Sequence, residues 1–233
     1  MGAKRFKEGI LEILFPRVCV VCGHSLSPKE NVLCVECLSS KFEETVPKGS
    51  VTSDGILLPE GIQLQHALWT FDKGGYLQEL LHQLKYHRIT GVGVDIGRQL
   101  AVSMKKNSLM SSFLLEPYQL LPVPLHPKKR RMRGYNQAYY IAKGIAEVAG
   151  GEIISKKAVI RIKNTKTQTG FSLEKRRRNI ENAFKVVHPD SVNGKNIIIV
   201  DDVFTTGSTT FELASVIKAS HCEKIAIVTV AQA

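Results

Sequence analysis

Between Lys195 and Thr209 the chain reads Lys-Asn-Ile-Ile-Ile-Val-Asp-Asp-Val-Phe-Thr-Thr-Gly-Ser-Thr. Four consecutive β-branched residues, Ile197 to Val200, mark a strand apolar on both faces, and such strands belong to the interior of a sheet. Two acids end the run. A turn rich in Thr and Gly follows, and Thr209 to Ala219 has the pattern of a helix. The same alternation governs the preceding sequence. Ile62 to Phe71, Gln119 to Leu125 and Ile225 to Val230 read as further strands. Tyr76 to Tyr86, Gly91 to Lys105 and Ala138 to Val148 read as helices, the last with Ile141, Ile145 and Val148 on one face. Strands alternating with helices imply a mainly parallel α/β sheet. With 43% hydrophobic and 23% charged residues, the 233-residue chain can fill such a core, which excludes a disordered or fibrous polypeptide.

The turn after the acids carries chemistry. Backbone N–H groups of Thr205 to Thr209 and the start of a helix would face an anion, Gly207 permits close approach, and the Thr and Ser hydroxyls add donors. Asp201 and Asp202 would repel a phosphate, so their use lies elsewhere on the same ligand, as acceptors from two sugar hydroxyls. The plainer reading is a strand-to-helix turn capped by Asp and Thr. The full pattern resembles the PRPP-binding loop of type I phosphoribosyltransferases. The resemblance implies that Asp201 and Asp202 bind the ribose 2′ and 3′ hydroxyls and orient the sugar for catalysis. It also implies that Thr205, Thr206, Gly207, Ser208 and Thr209 hold the 5′-phosphate, with Mg²⁺ accompanying PRPP.

The formal charge is +11, and two segments hold all of it. Lys128, Lys129, Arg130, Arg131 and Arg133 contribute +5, and Arg161 to Arg178 contributes +6. Either run alone could be a solvated loop. Together they suggest a polyanionic partner or an anionic substrate.

Cys19, Cys22, Cys34 and Cys37 form two C-x2-C units eleven residues apart. Each unit is a tight turn that aims two sulfurs at one centre, and two of them complete a tetrahedral four-thiolate zinc site of the closed, structural kind. A redox dithiol pair is the alternative. Too small for a core of its own, this segment would draw much of its stability from metal. Phe6, Ile10, Ile13 and Leu14 in front of it have helical spacing. The expected organisation is a helix and ribbon over 1–45, a linker over 46–60 rich in Pro, Gly and Ser, and the α/β domain over 61–233. Cys222 reads as a small buried residue near the last strand. No stretch free of Asp, Glu, Lys and Arg exceeds eleven residues, so no membrane insertion is expected. Charges through Lys4 to Glu12 interrupt any secretory signal, which suggests a cytoplasmic protein.

Taken in order, the four-cysteine ribbon, Pro122-Val-Pro124 with Arg133-Gly-Tyr-Asn-Gln137, the stretch from Gln168 through Asn182-Ala-Phe184, and the terminal loop resemble the ComF family of competence-type, phosphoribosyltransferase-like proteins, which includes GntX. The resemblance covers nearly the whole chain. It implies a type I phosphoribosyltransferase-like fold and a role in DNA uptake during natural transformation, or a related role in organisms that are not competent. Implied partners are PRPP or a related phosphorylated ligand, single-stranded DNA and a competence helicase. In that fold Leu125 to Arg133 would be the pyrophosphate loop, with His126, Lys128, Lys129, Arg130, Arg131 and Arg133 meeting pyrophosphate or DNA, although each could equally be solvated. Arg161 to Arg178 would be a mobile loop over the site. Lys85 would face the same region, or would simply be a cation at a helix C-terminus. Three functions follow: a DNA-handling protein that binds PRPP, an active phosphoribosyltransferase with unknown acceptor, and a metabolite-sensing regulator.

Overall fold

The computed structural model describes residues 16–28, 30–45, 58–165 and 178–233. The helix expected over Phe6 to Leu14, most of the linker and the greater part of the second basic run lie outside the described residues.

Five strands form one parallel sheet in the order β1-β7-β6-β2-β3, where β1 is Ile62–Thr70, β2 Tyr118–Pro122, β3 Glu152–Ile153, β6 Asn196–Phe204 and β7 Ile225–Gln232. The two β-branched runs occupy its middle, where β7 is buried at every residue and β6 at all but Val203. Successive side chains point to opposite faces. Ile198 and Val200 therefore join one core with helices α2 (Tyr76–Tyr86), α3 (Thr90–Lys106) and α6 (Gln137–Ala149). Ile197 and Ile199 join the other with α7 (Ser208–Lys218) and a small antiparallel ribbon of β4 (Val159–Arg161) and β5 (Phe184–Val186). Each such fully buried side chain is worth roughly 1.5–3 kcal/mol over leaving it in water. Cys222 is 3% exposed in this second core, as expected.

Two boundaries differ from those expected. The strand does not stop at Val200. It continues through both acids to Phe204 because β7 continues beside it, pairing Asp201 with Thr229, Val203 with Ala231 and Phe204 with Gln232. Conversely, β2 ends at Pro122, since prolines at 122 and 124 cannot donate to a ladder. Lys128 to Arg133, expected as a loop, is helix α5 (Pro127–Arg133). Pro127 has the φ a first turn needs, His126 Nδ1 accepts from Lys128 N at 3.2 Å, and Gly134 closes the end at φ 85°. Between these, α4 (Ser108–Phe113) is capped by Asn107, whose Oδ1 accepts from Leu109 N and Met110 N.

The cysteine segment, with helix α1 (Val35–Ser40), leans on the sheet domain. Cys19, Leu33, Cys34, Cys37 and Phe42 belong to the same core as Leu64 and Trp69. The Phe42 and Trp69 rings stand 4.4 Å apart. Glu44 bridges Trp69 in antiparallel register, extending the sheet beyond β1. On the other side, Asp95 of α3 reaches into the ribbon. Its Oδ2 accepts from Val32 N at 2.9 Å and Leu33 N at 3.2 Å. Helices α3 and α6 cross with their backbones in contact. A Cβ on Gly97 would stand 2.1 Å from Ile141 O, and one on Gly144 would stand 2.1 Å from Val94 O, so neither position admits a side chain.

Candidate functional site

Loops and helix termini gather at the carboxyl ends of the strands, where ligands bind in open α/β sheets. After Phe204 the chain turns through Thr205, Thr206 and Gly207 and enters α7. Gly207 has φ 69°, and a Cβ there would stand 2.4 Å from the Phe211 ring. Only glycine serves, because the turn must fold back over two packed phenyl rings, Phe204 and Phe211, 5.7 Å apart. Among the described residues no side chain caps the first turn of α7, and that turn carries no acid. Thr206 Oγ1 and Ser208 Oγ lie 2.8 Å apart. Open amides, a helix N-terminus and paired hydroxyls make an anion cradle.

Beneath the cradle Asp201 and Asp202 are 9% and 7% exposed. Though neighbours on one strand, they have different surroundings. Asp202 faces the end of α2, where Lys85 Nζ lies 2.7 Å from its Oδ2. The contact is an ion pair. Burial favours the protonated acid, but the Lys85 ammonium outweighs it and holds the Asp202 carboxyl below its ordinary value. Among the described residues no such cation is in contact with Asp201. Burial, followed by the charge of Asp202, pushes it from 3.8 up to about 8. One acid is thus kept ionised and the other holds a proton near neutrality.

Cations surround the pair. Arg133, at the end of α5, donates to Gln137 Oε1 at 2.9 Å and stacks over the Tyr86 ring at 5.5 Å. Its charge also helps hold Asp202 ionised. Lys129 is half-buried, and burial together with the charges of Arg161 and Arg133 lowers its affinity for a proton. Arg161 is the last residue of β4, 8% exposed, with its guanidinium 5.3 Å over the Phe184 ring. Lys128, Arg130 and Arg131 are exposed on α5.

At the ribbon, the four sulfurs of Cys19, Cys22, Cys34 and Cys37 lie within 4.8 Å of one another. Cys34 N donates to Cys19 Sγ and Cys37 N to Cys34 Sγ, both at 3.4 Å, as in a knuckle that spreads thiolate charge onto amides. The 3.7 Å between Cys22 Sγ and Cys34 Sγ matches the ~3.8 Å edge of a tetrahedron with zinc–sulfur bonds of about 2.3 Å. Burial would raise the Cys19 thiol, but its amide donors win and lower it to about 7. Burial raises Cys34 and Cys37. The donor set and spacing could hold a zinc ion.

The structure therefore brings Asp201, Asp202 and Thr205 to Thr209 together at one strand end, with Lys129 and Arg133 close by, and gathers the four cysteines. His126 serves to cap α5. Gln168, Phe171, Arg176 and Arg177 lie outside the described residues. Three contributors were hard to see in sequence. Lys85 had an equally good explanation as a helix-end cation. Arg161 reads in sequence as the first residue of a basic mobile loop, whereas it ends a strand and is buried. Tyr86 shares the helix end with Lys85, which the family resemblance turns toward this region, and only the fold shows that it meets Arg133.

No family model matches the chain. Among curated proteins, the DNA utilization protein YhgH of Salmonella typhimurium is 30% identical over 200 residues, 86% of this chain and 83% of that one. YhgH of Escherichia coli strain K12 is 29% identical over the same shares. Competence protein F of Haemophilus influenzae is 29% identical over 158 residues, 67% of this chain and 68% of that one. Among solved structures, the allosteric regulatory enzyme of purine biosynthesis superposes on 63% of this chain and 29% of its own at a TM-score of 0.40 and 16% identity. No helix among the described residues is long and apolar enough to cross a membrane.

Proposed function

The chain belongs to the ComF family, and from that premise we propose that it acts in DNA uptake, binding PRPP with Mg²⁺ at the phosphate loop and single-stranded DNA over the neighbouring cations. One observation carries the reading: an acid pair at the end of the central strand lies directly under an uncapped helix N-terminus, with Lys85, Lys129 and Arg133 around it. That set fits a ligand with phosphate at one end, sugar hydroxyls in the middle and pyrophosphate at the other. The cradle amides and Thr206 and Ser208 take the 5′-phosphate. Asp202, already ionised, accepts from one ribose hydroxyl, and Asp201 from the other once it loses its proton. Lys129 and Arg133 take the pyrophosphate. Bound Mg²⁺ would supply charge neutralisation of that pyrophosphate. The names of the YhgH and competence relatives support the DNA half of the proposal, as does the concentration of the whole +11 excess in two segments. Zinc on the four cysteines completes it as a structural element.

Thermal unfolding with PRPP and Mg²⁺ tests the ligand, since a molecule that binds only the native state raises Tm. Asp201→Asn with Asp202→Asn should abolish the rise while leaving the fold intact; a double variant that keeps full PRPP affinity removes the assignment. For DNA, filter binding should weaken by roughly 0.7 log unit per log unit of salt for each strand phosphate contacted. Neutralising Lys128, Lys129, Arg130 and Arg131 should weaken binding to every sequence and flatten that slope. Normal PRPP binding with no DNA binding at low salt leaves only the ligand half standing.

The split protonation of the acid pair favours a second reading, an active phosphoribosyltransferase, because catalytic carboxylates are commonly driven apart in this way. Pyrophosphate release from PRPP across a panel of acceptors tests it.

A further inference from the structure

A cavity of about 830 Å³ lies beside the phosphate loop without including it; no residue from Asp201 to Thr209 lines it. It opens between the chain after β2, the start of α6 and the inner side of β4. Its walls are mixed in a particular way. Leu121, Leu125, Ile154, Val159 and Ile160 form an apolar surface, and Tyr139, 44% exposed, adds an aromatic ring. Arg130, Arg131 and Arg161 supply the charge.

Arg161 is the unusual member. A guanidinium 8% exposed ordinarily has a carboxylate against it, because burying a lone cation is costly. Here one nitrogen donates to Thr165 Oγ1 at 2.5 Å, while Nε is buried without a partner and no carboxylate among the described residues pairs with it. The acid whose charge it feels, Asp201, is the one pushed toward neutrality. A buried cation that has no counter-anion among the described residues and lines a cavity suits an anion in that cavity. The cavity is also far larger than a phosphate or pyrophosphate, and its aliphatic and tyrosyl walls would gain nothing from either. Its volume lies in the range of pockets that enclose a small organic ligand.

We propose that this cavity is a nucleotide pocket, distinct from the PRPP cradle. A planar base lies against Tyr139 and the aliphatic wall, and its phosphate is held by Arg161 with Arg130 and Arg131. The chemistry is the same whether the nucleotide is free or is one unit of a single strand. The pocket is argued without the cradle assignment; with a strand as its ligand it rests on the DNA half of the proposed function, through the same Arg130 and Arg131.

The test is calorimetric titration of the full chain with dTMP, with dAMP and with a short oligothymidylate. At least one should bind. Arg161→Gln should weaken binding about tenfold or more, the loss of a charge-assisted contact. Tyr139→Ala should weaken it about tenfold, the loss of one stacking face. Asp201→Asn with Asp202→Asn should leave it unchanged while removing PRPP binding. Binding of the oligonucleotide alone identifies a strand as the source, and binding of the mononucleotides identifies the free form. If Arg161→Gln does not fold, Arg131→Gln and Tyr139→Ala, both at exposed positions, carry the comparison. The proposal is overturned if no probe binds at millimolar concentration, if binding ignores the pocket variants that fold, or if the Asp201 and Asp202 double variant abolishes it.

Discussion

At the ribbon interface the buried carboxylate of Asp95 has a donor for each oxygen: two backbone amides on Oδ2 and Arg98 at 3.1 Å on Oδ1. At the strand ends the buried carboxylate of Asp201 has, as its nearest partners, the amide and the charge of Asp202. Exposure is nearly the same, 6% against 9%, so burial does not separate them. Satisfaction does. A carboxylate with all its donors in place fastens two parts of a fold together, and one crowded by its own kind is a cost that a ligand can relieve. The ribbon interface is thus satisfied by donors of the chain itself, and the strand-end side is completed from outside.

If that contrast holds, disturbing the ribbon should cost stability, and disturbing the acid pair should cost only ligand. The largest effect should come from the metal. Elemental analysis should find about one zinc per chain. Chelation, or Cys34→Ala, should cost several kcal/mol and lower the Tm of the sheet domain too, because Cys19, Leu33 and Phe42 share a core with Leu64 and Trp69. A sheet domain whose unfolding ignores chelation would break the comparison on its ribbon side. Next is Asp95→Ala, which orphans the Val32 and Leu33 amides while Arg98 keeps Glu147; denaturant unfolding should show a loss of about 1–3 kcal/mol, with PRPP binding retained. The smallest effect has the opposite sign. Asp201→Asn should stabilise the ligand-free protein by about 1 kcal/mol at neutral pH, since burial beside Asp202 forces Asp201 to take up a proton there and asparagine needs none. The pH dependence sharpens this. Asp201 is raised in the folded state, so its contribution is fully present below its ordinary value of 3.8 and is lost as pH rises through about 8. Stability against pH over that window should decline in the parent and flatten in Asp201→Asn.

The contrast also follows what could be read from sequence. The cradle was legible because its signals are local: a β-branched run, two acids, a glycine and hydroxyls within thirteen residues. So were the cysteines, since tetrahedral geometry demands their spacing. The parallel sheet followed from alternation, and α2 was placed to the residue. What escaped depends on contacts between distant segments. The continuation of β6 to Phe204 needed β7 alongside. Asp95 looks in sequence like any helical acid, and its partners lie more than sixty residues away. Arg161 was submerged in a charge count. Lys128 to Arg133 resembled a loop because charge density masked a proline at one end and a glycine at the other.

The contact of Gly97 with Ile141 and of Gly144 with Val94 removes the side-chain layer that normally lubricates two packed helices. Main chain rests on main chain there, so α3 and α6 cannot slide or roll past each other without a collision. They form one beam. Its α3 part holds the ribbon through Asp95, and its α6 part begins at Asn136, which anchors to Val123 O beside the basic helix. The ribbon and the cationic rim are therefore tied to one and the same helix pair.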